Sequence, residues 1–295
     1  MTVDRSSNHQ KVEIASDLAS GASDGASDLF GRPSGRHQPA ALPSKILRLR
    51  LFAPAPSPPS PPRVVRLLRG DVSTSTCDAI AVSANPYLEG TARKSHWRFA
   101  GRRNADGAVR AAGGRSLDAA VAKTLREIGD SLPLAPGSAV ASRAGRSLDA
   151  KWVVHCVAPD ALVAEAGDSE VDAALQATFA AALTTATTLG ARSLALPAMG
   201  CGVRGFPRER AGAAALRAAG AWLRAPSFAT EAPRLHRVDL VVFADDVWAA
   251  WPKCAHAELG PPTAVVDAEE PDSRGAVYEW RAEEDGLEEA QDLVL

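Results

Sequence analysis

The stretch LALPAMGCGVRGFP, Leu194 to Pro207, sets Gly200, Gly202 and Gly205 in the spacing G-x-G-x-x-G directly after a short apolar run. Glycines in such a loop let backbone N–H groups approach an anion closely, and a helix beginning near Pro207 would point its positive end the same way. A tight strand-to-helix turn that needs glycine for its dihedrals alone gives the same pattern. A dinucleotide fingerprint needs an acidic residue about 20 positions on, inside a βαβ unit of about 30 residues. Here the acids after the next strand, Asp245 and Asp246, come too late, and no G-K-[ST] follows for a Walker loop. The loop is therefore read as an anion site or a bare turn, and not as a dinucleotide or Walker motif.

Other polar residues fall where strands should end. Asp71 follows VVRLLRG, Asn85 closes DAIAVSAN, and Asp106 opens the helical stretch ADGAVRAAG. Ligands of open α/β sheets gather at the carboxyl ends of strands. Each residue also has a plain role: Asn before proline opens turns, and Asp in a first helical turn complements the dipole. His155, mid-strand in WVVHCVA, reads as a hydrogen-bonded core residue. Cys201 invites a nucleophile reading, but no base partner is identifiable. No His, Cys, Asp and Glu spacing suggests a metal site, and no cofactor is expected.

The elements that must position these residues alternate along the chain. Strands are expected at 64–68, 78–84, 138–142, 151–158, 193–198 and 237–244, and helices near 105–113, 116–128, 170–189, 207–224 and 246–256. Several of the strands are continuous apolar runs, as strands buried on both faces are, so the expected fold class is α/β with a mostly parallel sheet between two helical layers. Residues 1–62, rich in Ser, Ala, Gly and Pro and ending in APAPSPPSPP, are expected to be disordered. The folded domain is expected over 63–258. Residues 259–295 read as an acidic and disordered tail in which AVYEWRAEEDGLEEAQDLVL could form a short helix on a partner.

The 295 residues carry a net charge of −2, so nothing global demands nucleic acid or an anionic membrane. Four scattered cysteines without a C-x-x-C pair suit a reducing compartment. No apolar run approaches membrane-spanning length, and no secretory signal is recognisable. An intracellular, cytoplasmic or nuclear location is expected, with organellar import left open, and a monomer.

Taken together, GDVS (70–73), VSAN (82–85), ADGAVRAAG (105–113), WVVHCVAP (152–159) and LPAMGCGVRGFP (196–207) resemble, in order, the motifs of the macrodomain family, an ADP-ribose-binding module. The resemblance covers about 64–251 and implies a three-layer α/β/α fold. It implies that Asp71 and Val72 hold the adenine, with Phe243 packed on its face, although Phe243 is equally readable as a core aromatic. Gly200, Cys201, Gly202, Val203, Arg204, Gly205 and Phe206 would wrap the diphosphate, and Asn85 would bond the distal ribose. Asp106 would position or activate a water, making Asp106 and Asn85 the catalytic pair of a hydrolase. Such an enzyme would remove mono-ADP-ribose from acidic side chains of modified proteins, with deacylation of O-acyl-ADP-ribose as a related activity. A non-catalytic ADP-ribose reader is the alternative.

Two departures bear on that choice. The glycine run expected after Gly90 is interrupted by TARKSHWRFAGRRN (91–104), a basic and aromatic insert readable as a lid, a contact for an acidic or nucleic-acid partner, or a plain surface loop. Arg204 stands where the family has an aromatic over the distal ribose, which would bring positive charge to the diphosphate and remove a stacking wall.

Overall fold

Five parallel strands form the middle of an eight-stranded sheet, and their carboxyl ends define where a ligand can sit. The computed structural model describes residues 61–90, 104–162, 164, 167–225, 235–267 and 276–282. The expectations for 1–60, for the insert at 91–103 and for 283–295 lie outside these residues. The strands are β1 (Val64–Arg69), β2 (Ala79–Ala84), β3 (Ala139–Arg143), β4 (Trp152–Val157), β5 (Ser193–Pro197), β6 (Arg237–Val242), β7 (Ala264–Asp267) and β8 (Ala276–Arg281), in the order β3-β4-β2-β5-β6-β1-β8-β7. β4, β2, β5, β6 and β1 run parallel, while β3, β8 and β7 are antiparallel to their neighbours.

Helices α1 (Ala105–Ile128), α2 (Asp168–Thr188), α3 (Arg208–Arg224) and α4 (Asp245–Leu259) cover the sheet. Side chains alternate between its two faces, as the pleat requires. From β2, Ile80 and Val82 join a cluster with Val109, Leu117 and Val121 of α1. Ala79 and Ala81 join the opposite cluster with Leu175 and Phe179 of α2, Leu216 of α3 and Trp251 of α4. This is the expected three-layer α/β arrangement, and it explains why Ala79 to Val82 of β2 are apolar without alternation. α1 is broken at Gly114, whose φ of 54° lies in the left-handed region, so the two helical segments expected at 105–113 and 116–128 follow one another across a kink.

The tail corrects the sequence reading. Residues 264–267 and 276–281 are strands, and AVYEWR extends along β1 instead of forming a helix. Trp280 is buried, and its indole Nε1 donates to Gly260 O at 3.0 Å. Edge protection is the physical reason: β1 would otherwise end the sheet with unpaired N–H and C=O groups, and β8 satisfies them.

Candidate functional site

A cleft of about 750 Å³ opens at the carboxyl ends of β1, β2, β5 and β6. Asp71, Val72, Asn85, Asp106, Gly200, Cys201, Gly202, Val203, Arg204 and Phe243 all line it. Gly205 and Phe206, expected at the diphosphate, do not. Phe206 N donates to Gly200 O at 3.1 Å, which folds the loop back and sends the ring into the core beside Leu175. Gly205 instead lies beneath Leu162, where a Cβ would come within 2.3 Å of the Leu162 Cγ. Nor does α3 present its N-terminus here: neither Pro207 nor Arg208 lines the cleft, whereas Ala105 to Ala108 of α1 do. The helix N-termini at the cleft are those of α1 and of α4, whose N-cap Ala244 and first-turn Val247 also line it.

Asp71 caps a single 3-10 turn at Val72–Thr74. Its Oδ1 accepts from Ser73 N at 2.9 Å and Ser73 Oγ at 2.8 Å. Its Oδ2 accepts from none of the described residues, leaving one oxygen for a donor in the cleft. Phe243, directly after β6, is 66 % exposed, so its reading as a core aromatic is excluded.

In the glycine loop, the N–H groups of Gly200, Gly202 and Val203 donate to no acceptor among the described residues. Gly200 needs its glycine: φ is 92°, and a Cβ would sit 3.0 Å from Leu175. Gly202 does not, since its φ lies outside the left-handed region and a Cβ would meet no atom within 4 Å. Its bare backbone matters only to something entering the cleft. Burial pushes the Cys201 thiol up to about 12, which removes the nucleophile reading. At pH 8, Cys201 is expected to alkylate with iodoacetamide orders of magnitude more slowly than free cysteine. Peptide mass spectrometry should show the rate rising with pH as the thiolate fraction grows.

Arg204 lines the cleft as expected, and its guanidinium also has protein partners. Its Nη2 donates to Ala84 O at 3.2 Å, and Nη1 lies 3.8 Å from Asp160 Oδ2, so the guanidinium ties the loop to the end of β2. Its charge reaches the cleft already shared with Asp160.

Asn85 builds the turn 85–90. Its Oδ1 accepts from Tyr87 N and Glu89 N, and one Nδ2 proton goes to Gly90 O at 3.2 Å. That leaves a single amide proton for a ligand, so Asn85 can act towards it only as a donor. Asp106, 3 % exposed, lies in the first turn of α1, a helix capped by Asn104 Oδ1 accepting from Gly107 N at 2.8 Å. Burial raises the Asp106 carboxyl above its ordinary value, while the charge and hydrogen bonds of Arg110 pull it back. Arg110 Nε donates to both carboxylate oxygens, at 3.2 and 3.3 Å, and Nη2 donates to Leu88 O at 2.8 Å. The sequence reading passed over Arg110, although an Asp four residues before an Arg on a helix is a signal for this pairing.

His155 is the core residue it was expected to be. It is fully buried with Nε2 2.9 Å from Ser142 Oγ, and burial, with the Arg110 charge adding, pulls its imidazole down to about 3. No cluster of three or more His, Cys, Asp and Glu residues able to hold a metal ion occurs among the described residues. No helix of the described residues is long and apolar enough to cross a membrane.

Comparison with known proteins converges on one family. The Macro domain family profile matches residues 85–215. A macro domain-containing protein of Streptomyces griseus is 36% identical over 154 residues, 52% of this chain and 77% of that one. A protein of Klebsiella pneumoniae named O-acetyl-ADP-ribose deacetylase is 32% identical over 185 residues, 63% of this chain and 92% of that one. The Oceanobacillus iheyensis macrodomain, solved with ADP, superposes with a TM-score of 0.52 at 20% identity over 67% of this chain and 93% of that one. With a relative of this identity covered over three quarters of its length, the chain belongs to the macro domain family.

Proposed function

We propose that the cleft binds ADP-ribose and hydrolyses the ester joining its distal ribose to a carboxylic acid, the acid being a Glu or Asp side chain of a modified protein or a small acyl group. The observation that carries this reading is the placement of a buried carboxylate, Asp106, in one cleft with a glycine loop in which the N–H groups of Gly200, Gly202 and Val203 have no acceptor among the described residues. Relatives named O-acetyl-ADP-ribose deacetylase support the small-acyl arm of it.

In this reading Asp71 Oδ2 accepts from the adenine amino group and Phe243 packs on the ring. The N–H groups of Gly200, Gly202 and Val203 hold the diphosphate, and Asn85 donates to a hydroxyl of the distal ribose. Water attacks the ester and Asp106 takes its proton, which requires the carboxylate ionised and within one water of the reacting atom. Free ADP-ribose and the carboxylic acid are the products. Backbone dipoles on the diphosphate offset charge that develops as the bond breaks.

Gly202→Val is expected to weaken ADP-ribose binding at least tenfold by calorimetry while leaving the melting temperature unchanged, because the new side chain fills only ligand space. The deciding experiment measures free ADP-ribose released from O-acetyl-ADP-ribose and from a protein mono-ADP-ribosylated on Glu or Asp. Release from the second substrate supports the full reading, and release from the first alone narrows it to deacylation. Binding without release from either would make this a reader of ADP-ribosylated partners.

A further inference from the structure

We propose that Arg110 is the positioning residue of this cleft: its guanidinium fixes the Asp106 carboxylate and the Asn85 turn relative to each other. The inference rests on the hydrolase reading above and adds to it a residue outside the cleft lining. Three bonds carry it. Nε spans both oxygens of Asp106 and Nη2 holds Leu88 O in the middle of the 85–90 turn, while Nη1 lies 3.6 Å from Asp118 Oδ1, eight residues on and beyond the Gly114 kink. The turn is shaped to receive this group. Leu88 and Gly90 both take positive φ, 53° and 74°, and a Cβ on Gly90 would lie 2.7 Å from Arg110 Nε. The Gly90 carbonyl in turn accepts from Asn85 Nδ2, so Asp106, Arg110, the turn and Asn85 form one connected unit.

A guanidinium suits this task better than an ammonium. Its planar fork reaches two acceptors in fixed directions, which a point charge on a flexible stem does not. It also opposes the upward push that burial gives the Asp106 carboxyl. Among the described residues, the charged groups around the cleft are Arg110 and Asp118 on α1, Glu89 on the turn, Asp71 after β1, and Arg204 with Asp160. His155 on β4, behind Arg110, is neutral at every pH of interest. Among these, Arg110 alone is hydrogen-bonded to the Asp106 carboxylate within the described residues.

The test compares wild type, Arg110→Gln and Arg110→Lys in the full chain. Arg110→Gln removes the charge; its kcat for ester hydrolysis should fall at least tenfold with ADP-ribose affinity kept within about threefold. The acidic limb of its pH–rate profile should move about one pH unit higher. Arg110→Lys should restore the limb but not the rate, because it returns the charge without the fork. A limb that stays at the wild-type pH in Arg110→Gln overturns the proposal, as does a loss of affinity equal to the loss of rate. If wild type releases no ADP-ribose, the hydrolase reading fails and the proposal is read by carboxyl 13C NMR, with Asp106→Asn assigning the resonance. Titration of Asp106 at higher pH in Arg110→Gln than in wild type then supports it, and unchanged titration overturns it.

Discussion

Asp106→Asn is expected to abolish measurable release of ADP-ribose, a loss on the order of 10²–10⁴-fold if the residue serves as general base. Binding should survive, because the asparagine keeps the shape of the side chain and the rest of the cleft is untouched; calorimetry should find affinity for ADP-ribose within a few-fold of wild type. Folding should survive too, and the sign of the linkage says why. Burial raises the Asp106 carboxyl above its unfolded value, so the native state prefers the proton. The ionised form therefore costs stability, increasingly as pH rises from the unfolded value through the folded one. A neutral amide removes that cost, and the variant should melt no lower than wild type at neutral pH. For the wild-type enzyme the same shift puts the acidic limb of activity above the ordinary carboxylate range, with rate climbing as pH passes through it. Equal turnover by Asp106→Asn and wild type would discard this mechanism while leaving the ligand assignment intact.

Trp251→Ala should be the most damaging core substitution, at about 3–5 kcal/mol. The side chain is fully buried between α3 and α4, and Gly212 lets the two helices approach around it: a Cβ there would stand 3.2 Å from the indole. Nε1 donates to Arg208 O at 3.1 Å, the first residue of α3 and the one that follows the glycine loop through Pro207. An alanine leaves a cavity and frees the helix start that anchors the loop. At roughly 2–4 °C per kcal/mol for a domain of this size, thermal melts should drop by about 10 °C or more. Trp251→Phe keeps most of the volume and loses the hydrogen bond, so it should fall between the two. A melt of Trp251→Ala within 2 °C of wild type would show that α3 and α4 are held by other contacts.

How far the sequence revealed this depended on which residues carried a local signal. The α/β core was readable because strands buried on both faces are continuous apolar runs and α2 repeats its apolar residues every three to four positions. Asp71, Asn85 and Asp106 stood out because each follows or opens an element whose period was clear. Phe206 was misplaced because a one-dimensional motif does not record that the loop doubles back through the Phe206 N to Gly200 O bond. Arg204 was placed at the cleft correctly, but its partner Asp160 could not be read, being distant in sequence and joined to it only by the fold. Arg110 had a visible helical pairing, yet its second partner, Leu88 O, is a backbone atom that no residue pattern marks. The strand at 276–281 was hidden by composition: Glu279 and Arg281 pair with each other among acidic flanks, while Val277 and Trp280 supply the buried positions.

That strand gives the acidic end of the chain a task unrelated to charge. A gene shortened at codon 260, a natural choice if the tail were mere solvent-borne ballast, would leave the β1 backbone from Val64 to Leu67 without its antiparallel neighbour. Bare edges of this kind recruit each other. The shortened product should pass into inclusion bodies or concentration-dependent oligomers on a sizing column, and extending it through residue 282 should return it to the soluble fraction.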